Sequence, residues 1–289
     1  MRKIIGIYIA FLLLILITGC SQQGLTEEEI KQKILEANSN INSFHLDTNG
    51  KIDMSMIFFG QNIDLAYDFV VNEKVNKLNK KLYALIDMNL RARSTNSGED
   101  ISIGGQNVQV KDLAINSNQQ VKIEAYVIND MLYTNTNGEW MKSKLQGDPW
   151  KNNDQFSKTF ELYKKSKIEF LGEEKIDGVS YYKARITPGN DSVNSAYGQL
   201  NSTVQEFSSI IWINKKTFVI ERIKSTLKMA SNDPEQQPGT TVFFGGLNVA
   251  YEFDVKLSNV NGNVDVNLPS EALKAREGKD ESIDTLAIL

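Results

Sequence analysis

Reactive side chains are scarce in this sequence, and a single cysteine stands out among them. Cys20 is the only cysteine of the chain and ends the segment LITGC at residues 16–20. Arg2 and Lys3 give the N-terminus a positive charge, residues 4–17 form an apolar stretch, and the two residues before the cysteine are small, as signal cleavage requires. A lone thiol cannot form a disulfide within the chain, but it is a nucleophile that can be alkylated.

This N-terminal pattern resembles a lipobox, the processing signal of prokaryotic lipoproteins. In such signals the cysteine thiol receives a diacylglyceryl group, and the cysteine becomes the first residue after cleavage. The resemblance implies a signal peptide at residues 1–19, a lipidation site at Cys20 and a lipidated tether at residues 20–25. An uncleaved membrane helix and an ordinary secretory signal with a chance cysteine remain as alternatives. The helix is disfavoured because the apolar stretch is shorter than the roughly 20 residues that span a bilayer.

The rest of the sequence carries few groups suited to catalysis or metal binding. Its only histidine, His45, lies at the start of a predicted strand, and no Gly-x-Ser-x-Gly motif is present. One histidine cannot form a zinc cluster, and Asp148, Asp154, Asp233 and Glu235 lack the spacing of a calcium-binding loop. No phosphate-binding glycine motif occurs. We therefore expect no enzymatic activity, no metal and no cofactor, and a hydrolase that uses only carboxylates is the least favoured alternative.

The charge of the chain argues against nucleic acid as a partner. The formal net charge is −4, and it becomes −6 once Arg2 and Lys3 are removed with the signal segment. Nucleic acids select basic surfaces, and anionic lipid headgroups would weakly repel this chain. We therefore expect attachment to the cell membrane through the lipid on Cys20, with the protein facing the extracytoplasmic side. An unidentified protein partner in the cell envelope is left open.

The first predicted element after the tether is an amphipathic helix over residues 27–42. Thr26 and Glu29 have the spacing of a capping box, in which each side chain accepts a hydrogen bond from the backbone of the other residue. The apolar positions then recur at helical spacing, namely at Ile30, Ile34, Ala37 and Ile41. This helix is expected to pack on an apolar surface.

From residue 44 the apolar residues follow a period of two, which is typical of β-strands. A turn signal at residues 59–62 separates two runs. The apolar residues have even numbers in the first run and odd numbers in the second. The apolar residues of the two runs are Leu46, Ile52, Met54, Met56 and Phe58, then Ile63, Leu65, Tyr67 and Phe69. Further strands are predicted at residues 82–92, 121–129, 167–188 (with a turn at Asp177-Gly178), 210–229, 242–259 and 264–268.

Three further segments interrupt the strands. Residues 94–119 are rich in Ser, Asn, Gly and Gln and are predicted to form a polar excursion, with a small hairpin at Gly104-Gly105. Two amphipathic helices are predicted at residues 154–166 and 192–207. Both helices should lie on the apolar face of the sheet, where we expect them to act as a movable lid through Phe160, Tyr197, Leu200 and Val204.

Three local patterns together resemble the LolA-like lipoprotein superfamily, which includes LolA and LolB and the LppX and LprG type lipoproteins. They are GEEKIDGV at residues 172–179, IWINKKT at residues 211–217 and VDVNLPSEA at residues 264–272. The resemblance covers roughly residues 27–273 and implies a single domain over residues 26–289. The implied fold is α+β and mainly β: a strongly curved antiparallel sheet, an unclosed half-barrel, with a few amphipathic helices covering its concave apolar face.

The resemblance also implies a function, which is to bind or carry a lipid or another hydrophobic ligand in the hollow of the sheet. Methionine suits such a surface because its side chain adapts to varied acyl chains. The expected ligand-lining residues are Met54, Met56, Phe58, Leu65, Tyr67 and Phe69. The same residues can instead fill a dry core, because alternation predicts burial without distinguishing a void from packing. In that case the protein is a non-enzymatic interaction or sensor domain of the cell envelope, with its polar loops at residues 94–119 and 231–241 meeting a partner.

Overall fold

The chain folds as one helix and a large antiparallel sheet within the part described by this computed structural model. The described residues are 25–58, 61–95, 101–103, 106–108, 116–146, 148, 150, 166–189, 203–231, 235–236, 243–279 and 281–282. The helix α1 spans Glu27–Ser39, and a short 3-10 helix spans Ala272–Lys274. The strands are β1 Ser43–Phe58, β2 Gln61–Asn76, β3 Lys81–Thr95, β4 Ile101–Ile103, β5 Gln106–Val108, β6 Asn116–Ile128, β7 Met131–Thr136, β8 Glu139–Gln146, β9 Lys167–Ile176, β10 Val179–Thr187, β11 Thr203–Asn214, β12 Ile220–Ser231, β13 Glu235–Gln236, β14 Phe243–Ser258, β15 Arg276–Glu277 and β16 Glu281–Ser282.

The main sheet has the strand order β15-β8-β7-β6-β3-β2-β1-β14-β12-β11-β10-β9 and is curved without closing into a barrel. Neighbouring long strands are antiparallel, whereas β15 and β16 pair parallel to β8 and cover that edge of the sheet. β13 pairs with β14, and β4 and β5 form a separate hairpin. The predicted fold, a mainly β, strongly curved antiparallel half-barrel, is therefore confirmed. The small hairpin predicted around Gly104-Gly105 is also confirmed, through the pairing of β4 with β5.

The helix α1 starts at the predicted capping box. The backbone N–H of Thr26 donates to Glu29 Oε2 at 2.8 Å, and the backbone N–H of Glu29 donates to Thr26 Oγ1 at 3.3 Å. The helix ends at Ser39, earlier than predicted, where the buried Asn38 ties it to the β11–β12 turn. The side-chain amide of Asn38 donates to the carbonyl of Phe218 and accepts from the backbone N–H of Ile220, both at 3.1 Å.

The strand register divides the side chains between two faces of the sheet. We call the face against which α1 packs the inner face and the opposite one the outer face. Ile30 and Ile34 of α1 form a buried cluster with strand residues of the inner face, namely Ala184, Ile186, Ile211, Ile213 and Ile220. In the strand register Ile211 lies opposite Ile223, which aligns with Val255 and then Thr48. Because residues two apart share a face, the even-numbered residues of β1 from Thr48 to Met56 also lie on the inner face.

On the outer face, charged and aromatic side chains contact one another around Trp212. The Trp212 ring lies between the ammonium group of Lys183 and the guanidinium group of Arg222, at 5.3 and 5.1 Å from its centroid. Arg222 donates through Nε and Nη2 to the two carboxylate oxygens of Asp254 at 2.9 and 2.6 Å. Lys183 and the Trp212 indole N–H both donate to Glu174, at 2.9 and 3.2 Å. Such cation–π contacts and paired charges order the part of the outer face around Trp212.

The helix predicted over residues 192–207 is wrong at its C-terminal end, because β11 begins at Thr203. A β-bulge explains the error. Val204 lies opposite Met229 and Glu206 lies opposite Lys228, so that one extra residue is inserted between them. Val204 and Phe207 therefore face the same side at a spacing of three, which imitates the helical period. Residues 190–202 lie outside the described part, as do most of the predicted 154–166 helix and the lid residues Phe160, Tyr197 and Leu200.

Two other predicted strands are also wrong. The run at residues 210–229 is a hairpin, because Asn214 accepts a hydrogen bond from the backbone of Lys216 at 2.9 Å and the chain turns before β12. Residues 264–268 form no strand. They lie on the outer face with Val264 and Val266 buried among aromatic rings, and this one-sided burial produces a period of two without strand pairing. Side chains satisfy the backbone of this segment: Asn76 donates to the carbonyl of Val264 at 3.0 Å.

Candidate ligand-binding face

The inner face carries apolar side chains in rows that run across the strands. Met54 lies opposite Leu65 of β2 and Val249 of β14. Met56 is likewise aligned with Ile63 and Leu247. We call these two sets the methionine rows, and they lie towards the end of β1 that leads into the β1–β2 turn.

The next row towards α1, which we call the tyrosine row, contains Tyr67, Ile52 and Tyr251. Ile52 of β1 lies between the two tyrosines, with Tyr67 on β2 and Tyr251 on β14. The same row continues to Leu90 of β3 on one side and to Leu227 of β12 on the other. Two phenol groups therefore stand on either side of a single aliphatic residue in the middle of the sheet.

A third row, the aromatic row, contains Phe69, Gly50 and Phe253. Gly50 of β1 is directly opposite both phenylalanines. The ring of Phe69 lies over Gly50, so that a Cβ atom built on this glycine would clash with ring atom Cζ of Phe69. On the other side, the rings of Phe253 and Tyr251 are 6.2 Å apart between centroids. The glycine thus leaves the space on β1 that the Phe69 ring occupies.

The structure brings five of the six residues predicted to line a ligand onto this face, namely Met54, Met56, Leu65, Tyr67 and Phe69. Phe58 ends β1, but its side chain lies outside the described part of the structure. Val204 also reaches the inner face and packs against Leu227, Met229 and Val249, although from a strand rather than from a lid helix. The role of these residues as ligand contacts stays a prediction.

Burial changes along and across the inner face. Near α1 the face is closely packed, and Ile186, Ile211 and Ile213 have no exposed surface. On β12 and β14, Leu227 and Val249 are also buried. By contrast, the inner-face residues of β1, β2 and β3 around the methionine and tyrosine rows are mostly half-buried: Ile52, Met54, Met56, Leu65, Tyr67, Phe69, Met88 and Leu90. A large apolar area is therefore only partly covered.

The two hydroxyl groups of the tyrosine row lack hydrogen bonds within the residues that the structure describes. Tyr251 packs against the buried cluster of Leu227, Met229 and Val249, its ring contacts that of Phe253, and burial raises the pKa of its hydroxyl. No described side-chain nitrogen or oxygen atom is both sealed and unpaired. Two tyrosines of the outer face do have hydrogen-bond partners, since Tyr126 donates to Glu124 at 2.9 Å and Tyr181 donates to Glu221 at 2.8 Å.

Gly50, Tyr251 and Phe253 were not among the residues predicted to line the site. Gly50 does give a signal, since a glycine inside a strand pattern often marks the close approach of another group. Tyr251 and Phe253 fall in a predicted strand, but their position beside β1 depends on a pairing between residues about 200 positions apart. No local pattern encodes that pairing.

Of the residues considered for catalysis and metal binding, those that the structure describes lie on separate elements. His45 lies on the outer face of β1, aligned with Lys74 and Ser258. Asp148 accepts a hydrogen bond from the backbone of Trp150 at 3.0 Å, and Glu235 lies on β13. Asp154, Asp233 and Cys20 fall outside the described ranges. Within those ranges, no group of three His, Cys, Asp or Glu side chains could hold a metal ion, and no helix is long and apolar enough to cross a membrane.

Comparison with known proteins gives structural matches only. No family model and no curated protein matches the chain. LprF from Mycobacterium bovis is 14% identical, with 85% of this chain and 99% of that chain covered at a TM-score of 0.40. The lipoprotein LppX from Mycobacterium tuberculosis is 12% identical, covering 84% and 100% at a TM-score of 0.37.

A LolA superfamily protein from Nitrosomonas europaea is 14% identical, covering 86% of this chain and 97% of that chain at a TM-score of 0.23. Because the identities and TM-scores are low, the proposals below rest on the residues of this chain alone.

Proposed function

We propose that this protein is a non-enzymatic, membrane-anchored lipoprotein that binds a lipid or another hydrophobic ligand on the inner face of its curved sheet. The observation that carries this proposal is the half-buried apolar area of β1, β2 and β3 around the methionine and tyrosine rows. Extended apolar patches are uncommon on soluble monomers and usually mark binding sites. A ligand with hydrocarbon chains would complete the burial of this area.

The side chains of this area suit acyl chains. Met54, Met56 and Met88 are unbranched and can adjust to ligands of different shape. Each CH₂ group buried on such a surface contributes about 0.8 kcal/mol. Two additional CH₂ groups in the ligand should therefore tighten binding by roughly tenfold, until the chain outgrows the apolar area.

The proposed membrane anchor is a lipid on Cys20. The lipobox pattern supports cleavage after residue 19, and α1 begins only a few residues later, at Glu27. The five residues between the anchor and the helix cap reach about 17 Å when extended. In this proposal the domain, over residues 26–289, stays close to the extracytoplasmic surface of the cell membrane, where it would meet lipid ligands.

The proposal is tested with the soluble chain from Ser21 onward, purified from a lipid-containing host. Native mass spectrometry with lipid extraction should detect a bound acyl species, and a series of saturated fatty acids should bind more tightly as the chain lengthens. Leu65→Asp should abolish binding, because it places a charge on the inner face of β2. Val70→Asp is the matched control, since Val70 lies on the outer face of the same strand and is 42% exposed. A ligand-free mass together with no binding of any added fatty acid would overturn the proposal.

A non-enzymatic interaction or sensor domain of the cell envelope is the second candidate. It is favoured by the close packing of the inner face near α1, where the core is solid. The outer face also offers a groove of about 820 Å³ beside Trp212, Tyr181 and Arg222, in which a partner could dock. This candidate predicts that binding of fatty acids is absent from the soluble chain and that inner-face substitutions affect stability alone.

A further inference from the structure

The two edges of the main sheet are finished in different ways. β9, at one edge, carries a β-bulge beside Gly172, whose φ is 118°, and bulges twist an edge away from other chains. β8, towards the other edge, pairs with β7 without a register shift, and its Met141 is 50% exposed. A regular strand of this kind can pair with a strand of another chain. What covers β8 therefore decides whether it does.

β8 is covered by residues 276–282, which we call the strap. The two short strands of the strap, β15 and β16, pair with β8 through two residues each. The backbone N–H of Gly278 donates to the carbonyl of Lys142 at 2.7 Å. A Cβ atom built on Gly278 would lie 3.3 Å from the Cε atom of Met141, so glycine lets the strap lie close to β8.

The strap is held less firmly than the residues before it. Ala275 is buried, whereas Arg276 and Glu277 are exposed. Arg276 pairs with Glu139 at 3.0 Å and Glu277 with Lys142 at 3.3 Å, but ion pairs at a surface contribute little stability. The strap also runs parallel to β8, which is the slightly less stable arrangement per residue. Segments with few buried contacts open locally while the rest of a fold persists.

We propose that β8 is a self-association edge that the strap masks, so that β8 pairs antiparallel with β8 of a second copy when the strap lifts. This surface is separate from the proposed ligand-binding area of the inner face. In the register centred on Ser143, Met141 of each copy lies opposite Leu145 of the other. Such pairing would continue the antiparallel order of the long strands and satisfy the backbone groups that the strap releases.

The lysines of β8 predict how this pairing depends on salt. Lys142 and Lys144 lie on the outer face, and the proposed register places Lys142 of one copy opposite Lys144 of the other. In the masked state Lys142 pairs with Glu277 at 3.3 Å and Lys144 with Asp130 at 3.6 Å. Like charges directly opposite each other destabilise strand pairing, and salt screens them. Self-association should therefore strengthen as the ionic strength rises.

The test opens the strap in the soluble chain from Ser21 onward, which contains no cysteine. Gly278→Pro removes the N–H that donates to Lys142, and the loss of one hydrogen bond should raise the open fraction about three- to tenfold. Because both copies must open, the dissociation constant of the dimer should fall about ten- to a hundredfold in analytical ultracentrifugation. It should fall further when NaCl is raised from about 0.03 to about 0.3 M.

Cross-linking tests the edge and the register. Ser143→Cys, added to Gly278→Pro, should join the two copies through a disulfide, because Ser143 lies opposite itself across the two-fold axis. Val70→Cys in the same background is the matched control. Val70 is 42% exposed, but it lies on β2, away from the edge of the sheet, and its cysteine should not cross-link the dimer.

A locked variant keeps the inference testable if Gly278→Pro fails to fold. Lys142→Cys with Glu277→Cys replaces two residues that are aligned between β8 and β15, so that a disulfide there holds the strap in place. At high protein concentration and about 0.3 M NaCl, the native protein should dimerise weakly and the oxidised locked variant should stay monomeric. A folded Gly278→Pro protein that stays monomeric, a dimer that Ser143→Cys does not cross-link, or equal dimerisation of the native and locked proteins would overturn this inference. The test of lipid binding is independent of all these outcomes.

Discussion

Substitution of Gly50 by alanine probes the contact on which the aromatic row depends. The three atoms nearest to a Cβ at this position all belong to the ring of Phe69, and all of them would clash with it. The ring must therefore leave its place over β1. Overpacking of this kind costs about 1–3 kcal/mol, whereas replacing glycine by alanine within an element gains about 0.5–1 kcal/mol. We expect a net loss of about 1–2 kcal/mol in the free energy of unfolding.

A double-mutant cycle with Phe69→Ala tests this reasoning by urea denaturation. Removal of the ring also removes the clash, so Gly50→Ala should be neutral or slightly stabilising in the Phe69→Ala background. The coupling energy between the two positions should then be about 1–3 kcal/mol. Gly189→Ala serves as the control, because a Cβ there meets no atom within 4 Å. Equal destabilisation by Gly50→Ala with and without the Phe69 ring would refute the assignment of the clash to this ring.

Two further predictions concern the anchor and the outer face. Cys20→Ser should abolish incorporation of radiolabelled palmitate and release the protein from the membrane fraction; labelling that persists would contradict lipidation at this residue. The two hydrogen bonds from Arg222 lower the pKa of the Asp254 carboxyl. This contribution to stability is present above the unfolded-state pKa and is lost as pH falls through the folded-state pKa. In the Asp254→Asn variant, the free energy of unfolding from urea denaturation should therefore fall less below about pH 4 than in the native protein. An unchanged pH dependence would contradict this prediction.

The elements that were predictable from the sequence are those with local signals. The start of α1 follows from Thr26 and Glu29, which are three residues apart and bond to each other. The β7–β8 and β9–β10 turns follow from Asn-Gly and Asp-Gly pairs, which tolerate the positive φ angles found at Asn137 and Asp177. These residues act within a few positions of the chain, so their spacing in the sequence is sufficient to predict the structure.

The errors arose where one local pattern fits two structures. Val204 and Phe207 are three residues apart, which indicates a helix unless a bulge inserts an extra residue into a strand. Val264 and Val266 alternate with polar residues, which indicates a strand, but here side chains rather than a neighbouring strand satisfy part of the backbone. The tertiary surroundings decide between the alternatives in both cases, and they are absent from a window of ten residues.

The solid core and the ligand-binding hollow, which the sequence presents as alternatives, can coexist along the same strands. β1, β2 and β14 each have 16 residues and are therefore about 53 Å long, whereas the 13 residues of α1 cover about 20 Å. One helix of this length cannot cover the inner face from end to end. The buried clusters around Ile34 and Phe44 occupy the part near α1.

The aromatic row lies between the buried cluster around Phe44 and the tyrosine and methionine rows. Phe69 and Phe253 lie on either side of Gly50, and the inner-face residues of β1, β2 and β3 in the tyrosine and methionine rows are mostly half-buried. Substitutions on the two sides of this row should therefore have different consequences. Ile34→Ala, within α1, should cost about 2–5 kcal/mol of stability and leave lipid affinity unchanged. Met56→Ala should cost less stability and weaken lipid binding; if both variants lose stability equally and neither alters binding, the inner face is a single solid core.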